Sequence, residues 1–276
     1  MDKVKKAIIP AAGYGTRNLP ITKVLPKEMF PINRKPAIQY IVEEAIEAGI
    51  EEILIIVSRN KNMILDYFDR SLELEAFLEK TNKLHLLKDE VITNSPIQYM
   101  RQSYAEGLGD AVYLGKQFVG NEPFAVLLPD DLFLCPKKGA LAQLIEYYKT
   151  SSMIGIQRVE ADLLKNYGVV KAEKVKECQF QISDIVEKPE VSPPSDLAVT
   201  GRYIFNPSIF SYLEKIEKGA GGELQLTDAI KASLGDEKCF GIKIEGDRYD
   251  IGKEEDYIKL INRLWKNNSL KSETGK

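Results

Sequence analysis

A short apolar run, Ala7-Ile8-Ile9, stops at Pro10 and gives way to a glycine-containing loop. From Ala37 to Ala48 the apolar period changes. Ile38, Ile41, Val42, Ala45 and Ile46 share one helical face, and Glu43, Glu44 and Glu47 take the other. Gly49 then makes a natural helix stop. Ile53-Leu54-Ile55-Ile56-Val57 is apolar at every position, the pattern of a strand covered on both faces. Strand, loop, helix, glycine and apolar strand predict a βαβ unit, which builds a parallel sheet with a right-handed crossover.

The same alternation continues downstream. Phe124-Ala125-Val126-Leu127-Leu128 is a second two-sided strand, ending in Pro129-Asp130-Asp131, and Met153-Ile154-Gly155-Ile156 is a third. Between about residues 59 and 94 the composition is helical and charged, which predicts an insertion between strands. In the second half, strand segments are expected around Val169-Val170, Ile182–Ile185 and Arg202–Ile204, with helices near Ile209–Leu213 and Leu226–Ala232. Ser192-Pro193-Pro194-Ser195 reads as a loop, and nothing around it marks a domain boundary. The expected organisation is one α/β domain over residues 1–265, followed by a polar, frayed tail over 266–276.

Composition narrows the function. The chain has 276 residues, 44% apolar and 29% charged, an ordinary globular balance that can bury a large core. Its net charge of −3 provides no bulk field to recruit nucleic acid or a membrane. A single histidine, His85, excludes a histidine-based triad and a multi-histidine metal site. Cys135, Cys178 and Cys239 are widely spaced and form no CxxC pair, which suits buried thiols in a reducing compartment. The N-terminal stretch lacks the long apolar core of a signal peptide, and no 18-residue apolar run occurs, so a cytoplasmic location is expected.

The densest chemical signal is Ala11-Ala12-Gly13-Tyr14-Gly15-Thr16-Arg17, directly after the first strand. Ligands of open α/β sheets bind at the carboxyl ends of strands, and a glycine-rich turn there lets backbone N–H groups approach phosphate oxygens. The dinucleotide fingerprint fails because Asn18 stands where its third glycine is required, and the P-loop spacing is absent. Lys27 follows Arg17 by ten residues in a segment stiffened by Pro26 and Pro31. Two cations beside one glycine-rich turn suit a polyphosphate. Asp130, at the end of a buried strand, needs a cation or hydrogen bonds to balance its charge.

The run from Pro10 to Pro31, with its G-x-G-T-R…P-K pattern, resembles the signature of the sugar-1-phosphate nucleotidyltransferases. The variant Pro-Ala-Ala-Gly-Tyr-Gly-Thr-Arg…Leu-Pro-Lys-Glu-Met-Phe-Pro is similar to the bacterial UTP–glucose-1-phosphate uridylyltransferase branch. Further resemblances follow in order at Arg101-Gln102, Glu106–Gly109, Leu128–Asp131, Tyr167–Val169, Val186–Pro189, Val199–Tyr203, Gly222–Asp228 and Tyr249–Gly252. They cover nearly the whole chain.

The resemblance implies a Rossmann-like α/β fold of the glycosyltransferase-A type, with a mixed, mainly parallel sheet flanked by helices. It places Ala11, Ala12 and Gly13 against a nucleotide, Arg17 and Lys27 on its triphosphate, and Glu28 beside the base. Gln102 suits uracil, since its amide can accept from the imide N–H and donate to a ring carbonyl. Gly107 would let the base lie close to backbone. Glu187 would accept from sugar hydroxyls, Lys188 would contact the sugar phosphate, and Gly168 and Gly201 would add backbone contacts. Asp130 and Asp250 would hold Mg²⁺, with Asp131 able to share the role. There are three departures from the pattern: Asp110 where His is common, Arg248-Tyr249 before the second aspartate, and Phe30 where Leu is usual.

The implied reaction joins UTP and glucose 1-phosphate into UDP-glucose and pyrophosphate. A sugar phosphate is largely ionised at neutral pH, with a second pKa of about 6, so the nucleophile needs no general base. Other readings are a nucleotidyltransferase using dTTP or another hexose phosphate, and a non-catalytic nucleotide-sugar sensor. The resemblance also implies a homodimer or homotetramer.

Overall fold

The structure is a computed structural model that describes residues 3–87, 97–219 and 222–274. The chain opens with β1 (Lys6–Ala11), a small hairpin of β2 (Pro31–Ile32) and β3 (Lys35–Pro36), helix α1 (Ala37–Glu47) and β4 (Glu52–Val57). β1 and β4 pair in parallel from Lys6↔Glu52 to Ala11↔Val57, so the predicted βαβ unit is present. The strand runs through Pro10 and does not stop there. Its pairing with β6 (Phe124–Leu127) ends at Ile8, so Pro10 lies where β1 has only β4 beside it, and a missing N–H is tolerated.

The expected helical insertion holds α2 (Asn62–Phe68) and α3 (Leu72–Lys80) in its described part; residues 88–96 of that stretch lie outside the described residues. It leads to β5 (Ile97–Arg101), which adds to the edge of β4 in parallel. Helices α4 (Leu108–Leu114) and α5 (Lys116–Val119) return the chain to β6. Alternate residues of these strands feed two cores. Ala7, Ile9, Ile53, Ile55, Ala125 and Leu127 pack on the α1 side, and Ile8, Leu54, Ile56, Phe124 and Val126 on the other. Burial on both faces is what the uninterrupted apolar runs require.

After β6 come β7 (Asp131–Leu134), α6 (Ala140–Tyr147), β8 (Ser152–Arg158), β9 (Gly168–Lys174), β10 (Gln179–Glu187) and β11 (Leu197–Phe205). Helices α7 (Ile209–Leu213) and α8 (Leu226–Ser233) follow, then β12 (Cys239–Lys243), β13 (Asp247–Asp250) and α9 (Glu254–Thr274). The main sheet has nine strands in the order β5-β4-β1-β6-β11-β8-β12-β10-β9. Parallel pairing fills the β5-to-β6 half. Beyond it β11 runs antiparallel to both neighbours, and β12 with β8 is the parallel exception.

The C-terminal segment differs from the frayed tail expected over 266–276. α9 passes through Lys266 to Thr274 without a break, because no glycine or proline interrupts it before Gly275. No helix among the described residues is long and apolar enough to cross a membrane.

Candidate functional site

Two cavities collect most of the candidate residues, at the carboxyl ends of β1, β4, β5 and β6. The larger, about 380 Å³, is lined by Arg17, Asp130, Gly168, Glu187, Lys188, Gly201 and Asp250. The second, about 300 Å³, contains Gln102 together with Tyr14, Ser58, Arg59, Asn60, Ser103 and Ala105. His85 is exposed and lines neither.

The aspartates are brought together by a ribbon outside the main sheet. β7 and β13 pair antiparallel with Asp131 opposite Asp250, and the Ile251 N–H donates to the Asp130 carbonyl at 2.9 Å. Neighbouring residues on an extended strand point opposite ways, and the two carboxylates separate accordingly. Asp130 Oδ2 accepts from Lys27 Nζ at 2.6 Å and lies 3.8 Å from Arg17 Nη2. Asp131 instead accepts two bonds from Arg248, at 2.8 Å each, so its oxygens are committed. Arg17 also reaches Asp250, at 3.3 Å.

These contacts set the charge states. Burial opposes ionisation of Asp130, but Lys27 and Arg17 outweigh it and hold its pKa below the usual range. Burial likewise opposes the charge on Lys27, and Asp130 with Glu28 outweighs it, so the Lys27 pKa is raised. Asp250 goes the other way: burial first, then the like charges of Asp131 and Asp130, raise its pKa. A buried carboxylate crowded by like charge is relieved by a cation, and Arg17 bridges Asp130 and Asp250 as such a cation would. Among the described residues no group of three or more His, Cys, Asp or Glu forms a metal cage. Two carboxylates offering oxygen alone fit a hard divalent ion that completes its shell with water and substrate phosphate.

The nucleotide-facing residues divide. Ala11 and Ala12 are buried at the end of β1 and Gly13 is exposed in the turn. Glu28, expected beside the base, is 1% exposed and accepts from Lys61 Nζ at 2.9 and 2.8 Å, so its carboxylate closes a buried ion pair. Gln102 Nε2 donates to the Gly107 carbonyl at 3.2 Å and to Asp110 Oδ2 at 2.7 Å. Both N–H groups are therefore used inside the protein, and the expected donation to a ring carbonyl has no hydrogen left. Gly107 has φ +109°, and a Cβ there would meet the Leu224 carbonyl oxygen at 2.6 Å. Close approach of the Glu223-Leu224 segment, which bonds Glu106 and Gly109, is what requires glycine here.

Several side chains escaped sequence reasoning. Arg202 is fully buried and binds Glu44 through Nε at 2.9 Å and Nη2 at 2.8 Å. Its remaining donors reach the carbonyls of Leu128, Gly201 and Asp131, so one guanidinium ties α1 to the loop carrying Asp130. Glu44 also accepts from the Leu141 N–H at the start of α6. Gly201, with φ +63°, lets that loop approach: a Cβ would lie 2.6 Å from Asp131 Oδ2. Arg248 stacks on Tyr167, 4.4 Å from the ring centre, and both line the larger cavity. Thr227 lines it as well, and its Oγ1 is buried without a hydrogen-bond partner among the described residues. Arg202 and Thr227 fall inside runs that carry the resemblance, which was the signal available.

Lys188 is held in a strained backbone. Its φ is +43°, a region side-chain-bearing residues avoid at a cost on the order of 1 kcal/mol, and its N–H donates to the Tyr167 carbonyl at 3.0 Å. The ammonium is exposed at the cavity mouth, 3.4 Å from Glu187 Oε1. A cation on a constrained stem beside an open cavity is placed to meet an anion.

Residues 6–267 match the nucleotidyl transferase family. A Bacillus subtilis (strain 168) protein assigned provisionally as a UTP–glucose-1-phosphate uridylyltransferase is 57% identical over 265 residues, 95% of this chain and 97% of its own. A second protein of that strain, named UTP–glucose-1-phosphate uridylyltransferase, is 48% identical and covers 94% and 90%. The fold resembles a crystal structure of UDP-glucose pyrophosphorylase complexed with UDP-glucose, with a TM-score of 0.86, 41% identity and coverage of 96% and 99%. The chain belongs to the nucleotidyl transferase family.

Proposed function

We propose that the protein transfers the uridylyl group of UTP to α-D-glucose 1-phosphate, giving UDP-glucose and pyrophosphate. The observation that carries this reading is the arrangement of the larger cavity. Arg17, Asp130 and Asp250 line it together with Glu187 and Lys188, and Gln102 lines a second cavity. The relatives named for this reaction support it.

In this reading a sugar-phosphate oxygen attacks the α-phosphorus of UTP, the new P–O bond forms in line, and the bond to pyrophosphate breaks. Lys188 holds the incoming phosphate while Glu187 and the Gly168 and Gly201 backbone orient the sugar. Arg17 and Lys27 exchange their carboxylate contacts for triphosphate oxygens. Ala11, Ala12 and Gly13 line the nucleotide with backbone. Asp130 and Asp250 would hold Mg²⁺, which neutralises charge on the phosphates when bound. No side chain has to move a proton, which suits a site without histidine. Alignment and charge neutralisation supply the rate.

We extend the proposal to a single-domain cytoplasmic enzyme working as a homodimer or homotetramer; three unpaired cysteines are compatible with a reducing compartment. Pyrophosphate release measured over four nucleoside triphosphates and three hexose 1-phosphates tests the activity. UTP with glucose 1-phosphate should give the highest kcat/KM. Preference for dTTP or another sugar would move the assignment within the family, and no release alongside tight UDP-glucose binding would indicate a sensor.

A further inference from the structure

Gln102 is 5% exposed and is fixed at both ends. Its backbone N–H donates to the Val57 carbonyl at 2.9 Å, at the end of β4. Its side-chain amide has two hydrogens and one oxygen to distribute. The Asp110 carboxylate and the Gly107 carbonyl can only accept, so both must face Nε2, at 2.7 and 3.2 Å. With the amide pinned in this sense, Oε1 makes no hydrogen bond to the described residues, and Gln102 lines the cavity of about 300 Å³. The polar atom left to a ligand is an acceptor.

We propose that Asp110 sets the base preference of this site by holding the Gln102 amide with its oxygen toward the ligand. This rests on the reading of the cavity as a nucleobase site. A pyrimidine whose N3 carries hydrogen, as in uracil, donates to that oxygen. Cytosine presents a lone pair at N3 and meets acceptor with acceptor. A glutamine free to rotate its amide end for end would present Nε2 to cytosine at little cost and lose this discrimination. Asp110 is a positioning residue, since it acts on the ligand only through Gln102. Its place on the first turn of α4 suits the task, because the glycine on each side of Leu108 lets the turn pack against Leu224 and brings the carboxylate beside Gln102.

The test replaces Asp110 by Asn, nearly isosteric but able to donate to Gln102 Oε1 and so permit the inverted amide. Binding and turnover of UTP and CTP are measured for wild type, D110N, Q102A and the double variant, with thermal unfolding of each. D110N should lower the ratio of kcat/KM for UTP over CTP roughly tenfold, mainly through a higher KM for UTP, with kcat changing little. In the Q102A background the same substitution should leave the ratio unaltered. An unchanged ratio in D110N, an equal loss for both nucleotides, or a D110N effect that persists without Gln102 would overturn the inference while leaving uridylyltransferase activity in place. Wild type that neither binds nor uses UTP would overturn both.

Discussion

Lys27 Nζ donates to Asp130 Oδ2 at 2.6 Å, and both side chains are mostly buried. In this arrangement the protein's own cation balances the carboxylate that the proposed function assigns to the metal. A bound ion and triphosphate would take over that balance. Asp130→Asn should therefore cut turnover by roughly 10²–10³ and raise the Mg²⁺ concentration needed for half-maximal rate. A chelator titration of wild type should abolish activity, restored by added Mg²⁺. Full turnover in excess chelator would remove the metal from the scheme.

Lys188→Ala should lose roughly 10²–10³ in kcat with UTP binding retained if, as proposed, the ammonium meets the sugar phosphate and not the nucleotide. Lys188→Gly is the informative companion. It relieves the φ of +43° and should match or exceed the alanine variant in thermal stability while being equally slow. Wild-type rates in either variant would end the assignment of Lys188.

The Glu28–Lys61 pair makes a prediction about stability. Burial pulls the Lys61 pKa down, and Glu28 restores part of the loss. Glu28→Ala strands a buried ammonium and should cost about 3–5 kcal/mol, whereas Glu28→Leu with Lys61→Met should recover most of it. Urea unfolding of the single and double variants measures this. An equal cost in both would mean that packing, and not charge, holds this corner.

Thr227→Val separates binding from folding. Its Oγ1 has no partner among the described residues, so an apolar replacement of the same shape should leave the melting temperature equal or higher. If the hydroxyl serves the sugar, KM for glucose 1-phosphate should rise several-fold, about 1 kcal/mol, with KM for UTP unchanged. An unaltered sugar KM would assign the hydroxyl no role.

Much of this was legible in the residues. Ile53–Val57 reads as a strand covered on both faces, and Asp130 at the end of a second such strand needs a cation or hydrogen bonds. Arg202 and Glu44, by contrast, lie 158 residues apart, so nothing local marks either as half of a buried pair. Glu28 illustrates the same limit: its partner Lys61 lies 33 residues along the chain, so no local pattern marks the buried pair. On paper Asp131 can share Asp130's role, because its commitment to Arg248 is made across the ribbon and leaves no local mark in the sequence. α9 continued past Lys266 because polarity does not end a helix when no breaker is present.

The β7–β13 ribbon also has a consequence for how the protein is made. A ribosome delivers the glycine-rich turn and Asp130 long before Asp250, and the two carboxylates become neighbours only when β13 zips onto β7. A chain in which β13 has not yet paired would lack the second aspartate of the proposed metal site beside the first.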